Sequence, residues 1–546
     1  MKENNTAFRF KAGVATLIVI LIIYSLLSVF IHKYTRLTAD SMLYFSIAEK
    51  YLNGDYANAI NGYWGPLLAW LLIPFLYFGF SNVFAINAID LLLGIFTITG
   101  IWILSYRFEI SEKIRSIILI ALCPIILRVS IVQPMDFLLL CILVYYLCIV
   151  FKSDYPNKML HGVLCGLLGA LAYFTKAYAF PFFIAHFLIM NILHYFRNSS
   201  NAVRKNILKN ALTGFILFFL VSGIWIMTIS NKYGYYTFST MRSTNFNAPG
   251  PEAMGGGLEF GVPIFNEGFF EPPNKTAFVV WEDPSYIRGK KWSPWESWGY
   301  FKHFIRLCLK NIAEGLLIFE SFSTLSIAIV IAYILSFSAQ SKDKLLARGD
   351  LLYPLFTIAL FTGGYIMFHF EQRYLWLSNI LLLLMGGHIL YELFQRDLFR
   401  SSLRKGILTI LFIVSFIFTP SRHVLQASKS NIEQDMYYIS TDLKQYNIKG
   451  NIASNREYVP IHDAWHKTFR LAYWLNSRYY GQAKENISDE ELGNELKKYG
   501  INYYFFWGAS SHVPQFLNNY KELTNGEIPD LKIYSLEESE IPQQLR

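Results

Sequence analysis
The sequence predicts a polytopic α-helical membrane protein of about eleven spans, followed by a small α/β domain. Three observations carry that prediction. Of 546 residues, 53% are hydrophobic and only 16% are charged, against about 25% charged in a typical soluble domain. The deficit is uneven: residues 1–420 hold 34 Lys+Arg and 23 Asp+Glu, near 14%, whereas residues 421–546 hold 14 and 16, near 24%. The first part also contains repeated apolar stretches close to the roughly 20 residues that a bilayer span needs, while the last part alternates helix-like and strand-like patterns. Such a chain is not a disordered segment, a soluble enzyme or a disulfide-stapled module. The five cysteines (Cys123, Cys141, Cys148, Cys165, Cys308) show no metal-ligand spacing, and four lie in apolar stretches. The net charge of +9 does not point to nucleic acid, because the whole excess sits in the membrane part and the tail is slightly acidic.

The expected spans are 13–31, 83–104, 114–130, 135–151, 160–175, 177–194, 210–229, 314–337, 351–370, 374–393 and 406–420. The apolar stretch 66–80 is short, holds Pro74 and ends at Gly79, so it reads as a half-inserted helix. Lys and Arg in short loops fix the orientation. With the N-terminus inside, the inner segments and their flanks hold 19 Lys+Arg, while the short outer loops hold six: Lys33, Arg36, Lys50, Arg128, Lys176 and Arg373. The first loop 32–65, the long loop 230–313 and the tail 421–546 then lie outside the cytoplasm. The first span has a basic start and no small-residue cleavage pattern, and reads as an uncleaved anchor. In the tail, an amphipathic helix at 431–446 precedes a strand Asn451–Ser454, helices at 464–476 and 488–499, a strand Ile501–Trp507 and a strand Leu531–Leu536. That alternation suggests an α/β domain with a mostly parallel sheet. No glycine-rich phosphate loop follows any strand, so a docking or acceptor-guiding module is the plain reading.

Charges in or beside a span are costly and need a reason. Those on the outer side are Asp40 after span one, Arg128 and Asp136 around the turn between spans three and four, Lys176 between spans five and six, and Glu371 with Arg373 between spans nine and ten. Each has an ordinary explanation. Lys176 or Arg373 alone could be a snorkelling anchor, Asp40 a helix cap, and Arg128 with Asp136 an ion pair. Four separate loops bringing acids and bases to one face weigh against four independent anchors. Asp90 and Glu320, inside spans, read as packing against polar neighbours. His462 and His466, four apart around Asp463, have a zinc-compatible spacing, but no third ligand is evident and an exposed polar face is the simpler reading.

Nucleotide sugars and ATP are not normally available on the outer side, so a group-transfer enzyme there would need a lipid-borne donor, such as a polyprenyl-phosphate sugar. Lys176 and Arg373, with Arg128, could stabilise the departing lipid phosphate. Asp40 is the best-placed carboxylate to take the proton from an acceptor hydroxyl. The long loop, with seven of the 19 prolines and Trp281, Trp292, Trp295 and Trp298, fits a lid whose indole faces suit sugar rings; an aromatic belt at the membrane surface is the alternative. A divalent cation near the phosphate is conceivable, but no ligand set is visible.

Four motifs now carry a resemblance. The run TADSMLYFSIAEKYLNGDY resembles the first outer loop of membrane glycosyltransferases of the GT-C fold, among them the dolichyl-phosphate-mannose protein mannosyltransferases and the lipid A aminoarabinose transferase. It aligns Asp40, Tyr44, Ala48, Gly54 and Asp55 with the family pattern. WGPLLAWLLIPFLYFG is similar to the family's proline-led half-helix. LAYFTKAYAFPFF is similar to its Leu-Ala…Thr-Lys motif, which gives Lys176 with Tyr178 beside it. EQRYLW is similar to its late Arg-Tyr motif, giving Arg373 and Tyr374 beside Glu371, and Asp136 matches an acid at the start of the fourth span. The resemblance covers residues 10–400. It implies Asp40 as acid-base residue and Lys176 and Arg373 as contacts of the lipid phosphate. Ser41 stands where many members have a second acid, and Trp64-Gly65-Pro66 where many have Lys-Pro-Pro. The expected activity is inverting sugar transfer from a polyprenyl-phosphate carrier to a lipid, glycan or protein hydroxyl, at a bacterial inner membrane, among membrane lipids and without nucleic acid. A glycan polymerase or ligase using lipid-linked donors, and a lipid-sugar transporter or flippase, remain alternatives.

Overall fold
The computed structural model describes residues 2–31, 37–252, 267–287, 291–338, 349–429, 432–456, 463–508 and 513–536; Lys33, Arg36 and His462 lie outside them. The chain divides into two compact units. The first comprises 1–33, 64–239 and 301–430, and the second 34–63, 240–300 and 431–546.

The first unit is helical, and each of the eleven expected apolar stretches carries helix, although within 351–370 the helix stops at Gly363. Among the described residues, six helices are long and apolar enough to cross a membrane, or seven if one bent pair counts as a single span. This is a multi-pass membrane protein. Four shorter apolar helices accompany them: Pro66–Tyr77, Pro134–Val150, Met159–Thr175 and Tyr353–Gly363. Helix starts follow local chemistry. Ser81, Ser111 and Ser401 accept from backbone N–H groups of the first turn, and Pro66 and Pro134 open their helices, where a missing N–H costs nothing. A second stretch also departs from expectation. The span read at 314–337 is two helices, Trp298–Phe322 and Ser326–Ser338, meeting at 97°. Neither Pro nor Gly marks that break; Ser323 donates no such sequence signal, yet its carbonyl accepts from Ser326 N at 2.9 Å.

Close helix packing here rests on glycine. A Cβ on Gly162 would lie 2.4 Å from the Asn210 carbonyl, and one on Gly166 would lie 2.3 Å from that of Gly214. Helix Met159–Thr175, which ends at Lys176, is thereby pressed against helix Asn201–Tyr233 backbone to backbone, as small residues allow in membranes.

The second unit is built on a five-stranded sheet: β1 Asn451–Ser454, β2 Arg478–Gln482, β3 Tyr503–Trp507, β4 Lys521–Glu522 and β5 Leu531–Ser535, in the order β2-β1-β3-β5-β4. β1 pairs parallel with β2 and β3, whereas β5 pairs antiparallel with β3 and β4. The sheet is therefore mixed rather than mostly parallel. Helices Ala464–Trp474 and Asp489–Lys498 supply the crossovers that parallel neighbours require. β2 had no strand signal: it is five residues long, contains Gly481 at φ +106°, and follows a helix directly. The two loops contribute to the same unit. Backbone bonds from Phe270 N to Tyr480 O (2.7 Å) and from Tyr479 N to Phe278 O (2.6 Å) lay the long loop along β2, and helix Ala39–Leu52 packs on helix Ala464–Trp474.

Candidate active site
In the first unit, three helix ends and one turn converge. Pro134 opens its helix with Asp136 in the first turn. Lys176 caps the C-terminus of helix Met159–Thr175 in extended conformation, its N–H on the Ala172 carbonyl. Arg128 lies in the last turn of helix Glu112–Ser130. Arg373 and Tyr374 sit on the single turn Gln372–Leu375 that feeds helix Trp376–Gln395.

Lys176 Nζ lies 2.6 Å from Asp136 Oδ1 and 3.9 Å from the centre of the Tyr374 ring. Arg373 Nε is 3.7 Å from Asp136 Oδ2 and 2.7 Å from Glu371 Oε2. The Tyr374 hydroxyl donates to Glu371 Oε1 at 2.8 Å. Arg128 donates to the Gln372 side-chain carbonyl and lies over the Trp376 ring at 5.7 Å. Asp136, Lys176 and Arg128 are buried. Among the described residues, three cations, Lys176, Arg373 and Arg128, gather with two carboxylates, Asp136 and Glu371. Guanidinium and ammonium groups held in one place suit an anionic ligand such as a phosphate monoester or diester.

Tyr178, Tyr365 and Tyr374 form a ladder beside the cations. Tyr178 stacks on Tyr365 at 3.9 Å, and Tyr365 on Tyr374 at 4.8 Å. The Tyr178 hydroxyl is tied to the Phe361 carbonyl at 2.6 Å. Sequence reasoning missed Tyr365 and Gln372. A signal for Tyr365 existed: Gly363-Gly364 interrupts the apolar run 351–370, the helix ends at Gly363, and a Cβ on Gly364 would fall 2.2 Å from the Tyr178 hydroxyl. Of the discounted acids, Asp90 is buried in helix Asn82–Ser105, its backbone carbonyl accepting from Tyr24 at 3.4 Å, and Glu320 is exposed.

Asp40 and Tyr44 belong to the second unit. Asp40 is half-buried in the first turn of helix Ala39–Leu52, and the cap is Thr38, which accepts from Ser41 N at 3.2 Å. The capping explanation for Asp40 thus passes to Thr38. Tyr44 is buried. Trp292 is buried, stacked on Phe246 at 4.8 Å with its indole N–H on the Phe246 carbonyl, and Trp281 packs edge-on to Tyr63. Trp295 and Trp298 are 82% and 66% exposed. His466 Nδ1 lies 2.6 Å from Asp463 Oδ1, and no group of three or more metal-type ligands occurs among the described residues.

No family profile and no curated protein matches the chain. Solved structures do. The archaeal oligosaccharyltransferase AglB from Archaeoglobus fulgidus, in complex with an inhibitory peptide and a dolichol-phosphate, is similar at 13% identity with a TM-score of 0.51, over 90% of this chain and 69% of that one. The arabinofuranosyltransferase AftD from Mycobacteria is similar at 12% identity with a TM-score of 0.51, over 95% of this chain and 39% of that one. ArnT from Cupriavidus metallidurans bound to undecaprenyl phosphate matches at 12% identity with a TM-score of 0.45, over 96% and 97%. At these identities the likeness establishes the fold: the chain has the GT-C fold of membrane glycosyltransferases.

Proposed function
We propose that this protein is an inverting glycosyltransferase that moves a sugar from a polyprenyl-phosphate carrier to an acceptor hydroxyl on the extracytoplasmic side of a bacterial inner membrane. The observation that carries the reading is the cation cluster of Lys176 and Arg373 on Asp136, with Arg128 on the neighbouring Gln372. AglB, of the same fold, was solved with a dolichol-phosphate, which supports a lipid-phosphate ligand for that cluster.

In the proposed step, the Asp40 carboxylate takes the acceptor's proton and the acceptor oxygen bonds to the anomeric carbon. The bond from that carbon to the phosphate oxygen breaks, and its electron pair leaves with the polyprenyl phosphate. Lys176 and Arg373 stabilise the charge growing on that oxygen, with Arg128 behind them. Asp136 orients Lys176, and Glu371 orients Arg373. The membrane part is assigned to 1–420 with the N-terminus in the cytoplasm, and 421–546 to the extracytoplasmic side. Helices Glu112–Ser130, Pro134–Val150, Met159–Thr175 and Tyr353–Gly363 would complete eleven spans.

The test is transfer of radiolabel from a panel of polyprenyl-phosphate hexoses and pentoses by the purified protein in lipid nanodiscs. Asp40→Asn is expected to lower turnover by about 100-fold or more, the scale of a lost general base, with donor binding retained. Full turnover in a well-folded Asp40→Asn variant would overturn the role of Asp40. Movement of the lipid-linked sugar across vesicles without bond cleavage would overturn the enzyme reading altogether.

A further inference from the structure
Glu282, in the long loop, is one of the most enclosed carboxylates of the second unit. It is 2% exposed, and it forms an ion pair with Lys50, itself 4% exposed, on helix Ala39–Leu52. Its Oε2 accepts from Ser46 Oγ at 2.9 Å and from Phe278 N at 3.3 Å. Its backbone carbonyl accepts from Asn61 Nδ2 at 2.6 Å, so the segment after the helix is tied to the same residue. Phe278, four residues before Glu282, hands its carbonyl to Tyr479 on β2 at 2.6 Å, and its ring packs on Phe469 and Tyr473 of helix Ala464–Trp474.

Ser46 and Lys50 are four apart, so both project from one face of their helix. Two contacts on one face, a turn apart, fix the rotation of the helix about its axis as well as its position. Asp40 stands on the same helix, six residues before Ser46, so any rotation of the helix swings its carboxylate. A buried ion pair adds little net stability, and its best-attested use is to fix register.

We propose that Glu282 is a positioning residue: by pinning Ser46 and Lys50 it sets the azimuth of the helix that carries Asp40, and it anchors that helix through Phe278 to the sheet of the tail. The tail is then the reference frame for the acceptor-side acid. The proposal rests on Asp40 being the acceptor base.

Hydrogen exchange of the full-length protein in nanodiscs tests the positioning without any substrate. Glu282→Gln keeps acceptors for Ser46 and Phe278 but removes the carboxylate that pairs with buried Lys50. Amide exchange in 39–52 is expected to accelerate at least tenfold while the strands β1, β3 and β5 keep their protection. Lys50→Met with Glu282→Gln removes both charges and is expected to restore protection to within a few-fold. In the transfer assay, Glu282→Gln should lower kcat by about 10-fold or more with donor KM within twofold, and the double variant should recover most of the loss. Unchanged exchange in 39–52, or loss of protection spread through the whole sheet, overturns the proposal. Full turnover in Asp40→Asn overturns the acceptor-base reading instead, and the exchange data then judge the positioning by themselves.

Discussion

Lys176 cannot simply be deleted as a test of donor binding. Asp136 depends on it at 2.6 Å and is buried with it, so Lys176→Ala strands a carboxylate at a cost of about 3–5 kcal/mol. The informative comparison is Lys176→Met against Lys176→Met with Asp136→Asn. If Lys176 contacts the lipid phosphate, both variants show donor KM raised about 10-fold or more, while only the single variant melts early. Recovery of donor KM in the double variant would assign Lys176 a structural role. Glu371 offers a pH test at the same scale. Burial pushes its carboxyl up, but the Arg373 guanidinium and the Tyr374 hydroxyl outweigh that, and the net displacement is downward. A lowered folded value means that its contribution is present above the unfolded glutamate range and disappears as pH falls through the folded value. The thermal midpoints of the wild type and Glu371→Gln should therefore differ at neutral pH and converge in acid; a constant gap would contradict the pairing. These charged residues were legible in the sequence because charges at span ends are expensive and therefore few. Tyr365 and Glu282 were not. Tyr365 is marked only indirectly, by the Gly363-Gly364 pair before it, and a buried carboxylate whose partner Ser46 is 236 residues away has no periodicity to betray it.

At the scale of elements, the glycines of helix Met159–Thr175 do what no side chain could. With Gly166 facing the Gly214 carbonyl at a distance that excludes a methyl group, Gly166→Val must separate the two helices, and overpacking of this kind costs about 1–3 kcal/mol or more. Because Lys176 terminates the helix, the displacement is transmitted to the cation cluster. Gly166→Val is expected to lower the thermal midpoint and weaken donor use together, whereas Gly223→Val on the partner helix, where a Cβ would meet nothing, should change neither. Equal effects of the two would sink the close-packing argument. Helix positions were readable because apolar length and serine caps are local properties. The 97° break at 323–325 was not, since neither Pro nor Gly stands there to mark it.

At the scale of the molecule, the tail sequence alone is not a finished domain. β2 lies at the sheet edge, and backbone groups of Tyr479 and Tyr480 are met by Phe278 and Phe270 of the long loop. An uncovered edge of this kind invites pairing with other chains. Residues 432–536 expressed alone should aggregate at concentrations where a fusion that adds 267–287 stays monodisperse by light scattering. Equal behaviour would show that the edge needs no cover. Sequence patterning found most of the helices and strands of the tail, but not its dependence on two loops distant in the chain, because such pairing leaves no trace in composition.

That dependence fixes an order of events during synthesis. Arg478 reaches back 201 residues to the Ala277 carbonyl, so the long loop is made well before the strand that completes it exists. Until β2 arrives, Phe278 has no aromatic bed and its carbonyl no strand to accept from. The second unit therefore closes late, after nearly all of the helices of the first unit have been made, and the interval in which its loops stand open is set by the time needed to translate the tail.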